Sequence, residues 1–178
     1  MLGGFAIAAV GAAGQESTSS NDPAPFSTTT AVTEVQPAIK EHFAIFRDQP
    51  ASAMPADAAV AVGSPGRYGR NSDLAREIRT PSGPGYVIPA NGYMCIAIPD
   101  PVDGYGESCA STEDAISRGL WVRLVGDQAE SRAIDAFVIP DGEVLDATTS
   151  RSSQSAGRGA ITRIGVASDP PPTLDDAN

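Results

Sequence analysis

Apolar positions along this chain follow two different periods. Between Glu34 and Arg47 they recur at Val35, Ile39, Phe43 and Phe46, spaced by four, four and three residues, the stripe of an amphipathic helix. Pro37 suits a first helical turn, where its missing N–H has no intrahelical partner to lose. Arg47 sits at the carboxyl end, beside the negative pole of the helix dipole. Further along the period shortens to two. Tyr86-Val87-Ile88 and Tyr93 to Ile98 are rich in aromatic and β-branched side chains that fit a pleated surface. Asn91-Gly92 lies between them and tolerates the positive φ angles of a tight hairpin turn. Tyr93, Cys95 and Ala97 share one face of the second run and Met94, Ile96 and Ile98 the other. Both faces are largely apolar, so a central strand covered on both sides is expected.

The same pattern places the remaining elements. Arg76 to Thr80 alternates as a strand that opens a meander through the Pro81–Gly85 turn, although Asn71 or Ser72 with Asp73 also offers a helix start. Ala56 to Val62 reads as a short helix or strand. Ser111 with Asp114 three residues on is a capping-box variant, Glu113 and Asp114 favour the positive helix pole, and Gly119 is a natural stop. Leu120 to Val125 reads as a strand with Leu120, Val122 and Leu124 inward and Arg123 outward. Trp121 then lies on the outer face or against the N-terminal helix. Ala133 to Pro140, Glu143 to Thr149 after the Asp141-Gly142 turn, and Ile161 to Val166 complete the strands. The expected fold class is α+β. It is a mostly antiparallel meander of about six strands, with an N-terminal amphipathic helix and one short helix. Antiparallel pairing follows from connections too short for parallel crossovers. The alternative is an all-β sandwich with peripheral helices.

Composition sets the limits of that domain. Residues 1–14, MLGGFAIAAVGAAG, resemble the apolar core and small-residue cleavage site of a signal peptide, without the basic start, and are too short to span a bilayer. Residues 15–33 are rich in Ser, Thr and Pro and read as a disordered linker. Residues 34–168 form one globular domain, and 169–178, with three consecutive prolines, a disordered tail. The net charge of −10 disfavours nucleic acid and anionic membrane surfaces as partners. Membrane contact is expected only through the N-terminal segment if it stays uncleaved.

The chemistry-bearing residues are few. Cys95 lies on the central strand and Cys109 follows a loop of Pro, Gly and Asp just before the Ser111 helix. Joining them closes a loop of about 15 residues, which stabilises a domain by roughly 3 kcal/mol in the chain-entropy model. The other reading is two free buried thiols. Asp100, Asp103 and Glu107 form an acidic loop with oxygen ligands but without EF-hand spacing, so it reads as an ordinary polar loop. Arg67, Arg70, Arg76 and Arg79 are the densest basic cluster, diluted by Asp73 and Glu77. They read as a solvated face or a small anion site. Trp121 reads as a packing residue or a marker of a binding patch. His42 is the sole histidine, so paired-histidine zinc sites are excluded, and a Ser-His-Asp triad would have to use it. Nucleophile-elbow, P-loop and dinucleotide fingerprints are absent. No cofactor is expected.

Three stretches together carry a resemblance. They are FAIFR (Phe43 to Arg47), GYVIPANGYMCIAI closing its loop at SCA, and VIPDG (Val138 to Gly142). In these, residues 43–149 resemble exported proteins of high-GC Gram-positive bacteria that have no assigned activity. The resemblance implies export. The expected function is a non-catalytic exported domain that contacts a protein or a cell-surface polymer, through Trp121 or the arginine cluster. The alternative is a hydrolase in which two or more of Asp100, Asp103, Glu107 and Asp135 converge in a cleft.

Overall fold

Val35, Ile39, Phe43 and Phe46 are all buried, as the stripe requires, but two short helices stand where one is expected. The computed structural model describes residues 29–66, 68–100, 104–125, 132–145, 153–157, 159–166 and 174–176. Within them α1 spans Pro37–His42 and α2 Ala44–Asp48, with Phe43 extended between them. The break is held from far along the chain. Asp141 donates its backbone N–H to the His42 carbonyl at 2.8 Å, while its carboxylate accepts from the Ala44 N–H at 3.0 Å and from Arg47 Nη1 at 2.7 Å. A carboxylate on the first backbone donor of α2 starts a second helix where one continuous helix is expected.

The fold is α+β and its sheets are antiparallel throughout. The first sheet is a meander of β1 (Arg76–Thr80), β2 (Gly83–Pro89), β3 (Tyr93–Pro99) and β4 (Tyr105–Ser111), in that order. The second takes β5 (Leu120–Val125), β6 (Arg132–Val138), β9 (Ala160–Val166) and β8 (Ser153–Gly157) in that order. A small ladder pairs β7 (Glu143–Leu145) with β10 (Leu174–Asp176), so part of the expected tail belongs to a strand pair. The predicted helix or strand near Ala56 is the helix α3 (Ala56–Ala61). The two readings of Asn71 to Thr80 are both realised. Asn71 Oδ1 accepts from the Asp73 N–H in a single 3-10 turn over Ser72–Leu74, and β1 follows.

One core fills the space between the sheets. Ile78, Val87, Met94, Ile96 and Ile98 face Leu120, Val122, Ala136 and Val138, and α1 and α2 close it with Ile39, Phe43 and Phe46. A second cluster covers the other face of the first sheet, where Met54, Ala58 and Val62 pack on Tyr86, Ile88, Cys95 and Ala97. Strand β3 is therefore buried on both faces, as its sequence requires. At one side of the sandwich β4 runs beside β5, and both are the outer strands of their sheets. Of the residues expected in the linker, Val32 is anchored: its N–H donates to the Gly69 carbonyl and its carbonyl accepts from Asn71 Nδ2 at 2.7 Å. The signal-like segment, linker residues 15–28, Arg67, Asp103 and the other tail residues lie outside the described residues. No helix among the described residues is long and apolar enough to cross a membrane.

Candidate binding cleft beside Trp121

Three consecutive elements, β4, α4 (Thr112–Arg118) and β5, build a cleft at the side of the sandwich where β4 runs beside β5. Their local chemistry is legible. Ser111 Oγ accepts from the Asp114 N–H at 3.1 Å and donates to Asp114 Oδ2 at 2.8 Å, which fixes the first turn of α4. Gly119 stops the helix at φ 70°, a conformation that suits glycine, and the chain reverses into β5. Gly106 on β4 lies hard against Leu124 of β5, where a Cβ would collide with that side chain. The strands meet closely at Gly106, and about 270 Å³ of open volume lies beside Ser108. β4 supplies Ser108 and Ala110, α4 supplies Asp114 and Arg118, and β5 supplies Leu120 and Trp121.

Trp121 is 41% exposed. It lies on the outer face of the second sheet opposite Phe137, with ring planes 14° apart and centroids at 6.3 Å. Phe137 is buried, so the indole rests on a fixed neighbour. Arg118 pairs with Asp114 one turn earlier on the helix. The Ser111 hydroxyl and then the Arg118 guanidinium hold the Asp114 carboxyl below its ordinary range. Among the described residues neither the Ser108 hydroxyl nor the Trp121 indole N–H has a protein partner.

Cys95 and Cys109 face each other across β3 and β4, with sulfurs at disulfide distance, 2.06 Å, and Cα atoms 4.1 Å apart. Cys109 lies inside β4, directly ahead of α4 as expected. The staple thus fastens the outer strand β4, the floor of the cleft, to the doubly buried β3.

The other residues singled out in the sequence are dispersed. Glu107 is on β4 rather than in a loop and pairs with Arg70, which is 5% exposed. Arg70 Nη2 also reaches the Gly63 carbonyl at 3.4 Å. Arg76, the first residue of β1, is buried, donating to the Leu74 carbonyl at 2.7 Å with its guanidinium 5.3 Å from the Phe46 ring. Burial pulls its pKa down from the ordinary arginine value. Arg79 is exposed. Arg70 and Arg76 therefore do not belong to a solvated basic face, because a carboxylate, backbone carbonyls and a ring take the place of water around them. Asp100 remains in the turn, donating its N–H to the Gly104 carbonyl at 2.9 Å.

Asp135 is fully buried on the outer face of the second sheet, in register with Arg123 on one side and Arg163 on the other. Arg123 Nε meets Asp135 Oδ1 at 2.6 Å and Arg163 Nη2 meets Oδ2 at 2.7 Å. Both sheets and the core lie between Asp135 and Glu107, so these carboxylates do not converge. His42 is half-buried and its carbonyl serves the helix break. No cluster of three or more His, Cys, Asp or Glu among the described residues is placed to hold a metal ion.

The sequence singled out Trp121, but it missed the cleft beside it. Ser108, Ala110 and Arg118 carry no motif, and they meet only because two outer strands run side by side. Comparison with protein-family models, with curated proteins and with solved structures finds no significant match.

Proposed function

We propose that this chain is an exported, non-catalytic binding module that contacts a protein or a cell-surface polymer through the cleft beside Trp121. The observation that carries the reading is the exposed indole at the cleft rim, backed by Phe137 and flanked by Ser108 and the Arg118–Asp114 pair. An aromatic ring held half in solvent contributes large contact area at little entropic cost on binding. Export is supported by the signal-like apolar start, by the resemblance of residues 43–149 to exported proteins, and by two cysteines at disulfide distance, since such bonds persist in oxidising compartments. The separation of Glu107 from Asp135 gives the carboxylate-hydrolase alternative no support. The test is cosedimentation of the purified chain with cell envelopes of the organism that makes it. The chain should pellet with the envelopes, and Trp121→Ala should stay largely in the supernatant. Equal pelleting of both, or pelleting of neither, would remove the reading.

A further inference from the structure

We infer that the cleft between β4 and β5 is a subsite for one ring of a neutral glycan. The inference rests on the reading of this cleft as a binding site and names the class of ligand. Size comes first. Small-molecule pockets run from about 300 Å³ upward. At about 270 Å³ the cleft admits a single ring and not a length of folded partner.

Charge comes second. The two ionised groups in the cleft, Arg118 and Asp114, already neutralise each other, and Asp114 also takes the Ser111 hydroxyl. A cationic ligand would have to displace Arg118, and an anionic one would meet a chain of net charge −10. A neutral ligand disturbs neither.

Polar valence comes third. The Ser108 hydroxyl and the Trp121 indole N–H have no protein partner among the described residues, and the Arg118–Asp114 pair leaves further donors and acceptors open to solvent. A sugar ring matches this set. Its hydroxyls donate and accept around the edge, while its C–H face packs on an aromatic ring. An apolar ligand would leave the polar groups facing it without partners, at a cost in affinity.

Trp121 is the only tryptophan, so its emission reports this cleft alone. The full chain is titrated to millimolar concentration with hexamers of β-1,4-glucose, α-1,4-glucose, β-1,4-N-acetylglucosamine and β-1,4-mannose. Decaglutamate and decaarginine form the peptide arm. At least one neutral hexamer should shift the emission to shorter wavelength, and neither peptide should. By calorimetry, Trp121→Ala should weaken that hexamer about tenfold, the scale of one lost ring contact. Arg118→Ala and Ser108→Ala should each weaken it several-fold, with melting curves confirming that all three variants fold. Emission that responds to a peptide but to no glycan overturns the glycan inference and leaves the binding cleft standing. Emission that responds to nothing overturns both. Hexamer binding that survives all three substitutions places the glycan elsewhere and overturns this inference.

Discussion

Breaking the Cys95–Cys109 link should cost the domain a measurable share of its stability. The two residues are 14 apart in sequence and directly opposed on neighbouring strands. A crosslink closing a loop of that size stabilises by about 3 kcal/mol through the entropy it removes from the unfolded chain. A small domain has only about 5–15 kcal/mol in total. For a domain between the 100- and 150-residue classes, each kcal/mol moves the midpoint by about 3–4 °C, so reduction should lower Tm by about 10 °C. Circular dichroism melts with and without a phosphine reductant read this directly, with thiol titration confirming that both cysteines are free. The double variant Cys95→Ala/Cys109→Ala should melt at or slightly below the reduced chain, because Cys95 is fully buried and its sulfur leaves a small void. A fully reduced chain melting within about 2 °C of the oxidised one would refute the reasoning, since the loop term of about 3 kcal/mol would then be missing.

Other substitutions probe the remaining contacts. Asp135→Ala should destabilise by about 3–5 kcal/mol in urea unfolding, because it removes the carboxylate that buried Arg163 shares with half-buried Arg123. Asp141→Ala should cost about 1 kcal/mol by the same assay through the lost cap on α2, with Asp141→Asn retaining part of it. Gly106→Ala should cost about 1–3 kcal/mol as Leu124 is pushed aside, and should alter the cleft resonances in NMR spectra. Asp114 should titrate below the ordinary aspartate value of 3.8 by NMR. Its contribution to stability is full above the unfolded value and is lost as pH falls through the lower folded one, so α4 should fray only on strong acidification.

Much of the fold was legible because local and tertiary demands agree. The stripe Val35, Ile39, Phe43 and Phe46 is buried as its spacing requires, Asn91-Gly92 turns β2 into β3, and Ser111 with Asp114 starts α4. Three features were not legible, each because its cause lies elsewhere in the chain. Strand β4 reads YGESCAS, small and polar, and becomes a strand because β3 pairs with it along its whole length. The break at Phe43 comes from Asp141, nearly a hundred residues away. The arginines at 70 and 76 look solvated in sequence, and only the fold brings Glu107 to one and Phe46 with the Leu74 carbonyl to the other. Trp121 stood out as a lone aromatic in an alternating strand, but its cleft depends on the meeting of β4 and β5, which no local pattern encodes.

The most direct test is the state of the two sulfurs where the protein works. Cells of the organism that makes the chain are quenched with a membrane-permeant alkylating agent, then fractionated, and the intact mass of the protein is measured in each fraction. We predict that the protein is recovered outside the cytoplasm and carries no alkyl group on Cys95 or Cys109. Recovery in the cytoplasm with both cysteines alkylated would contradict the stapled, exported domain.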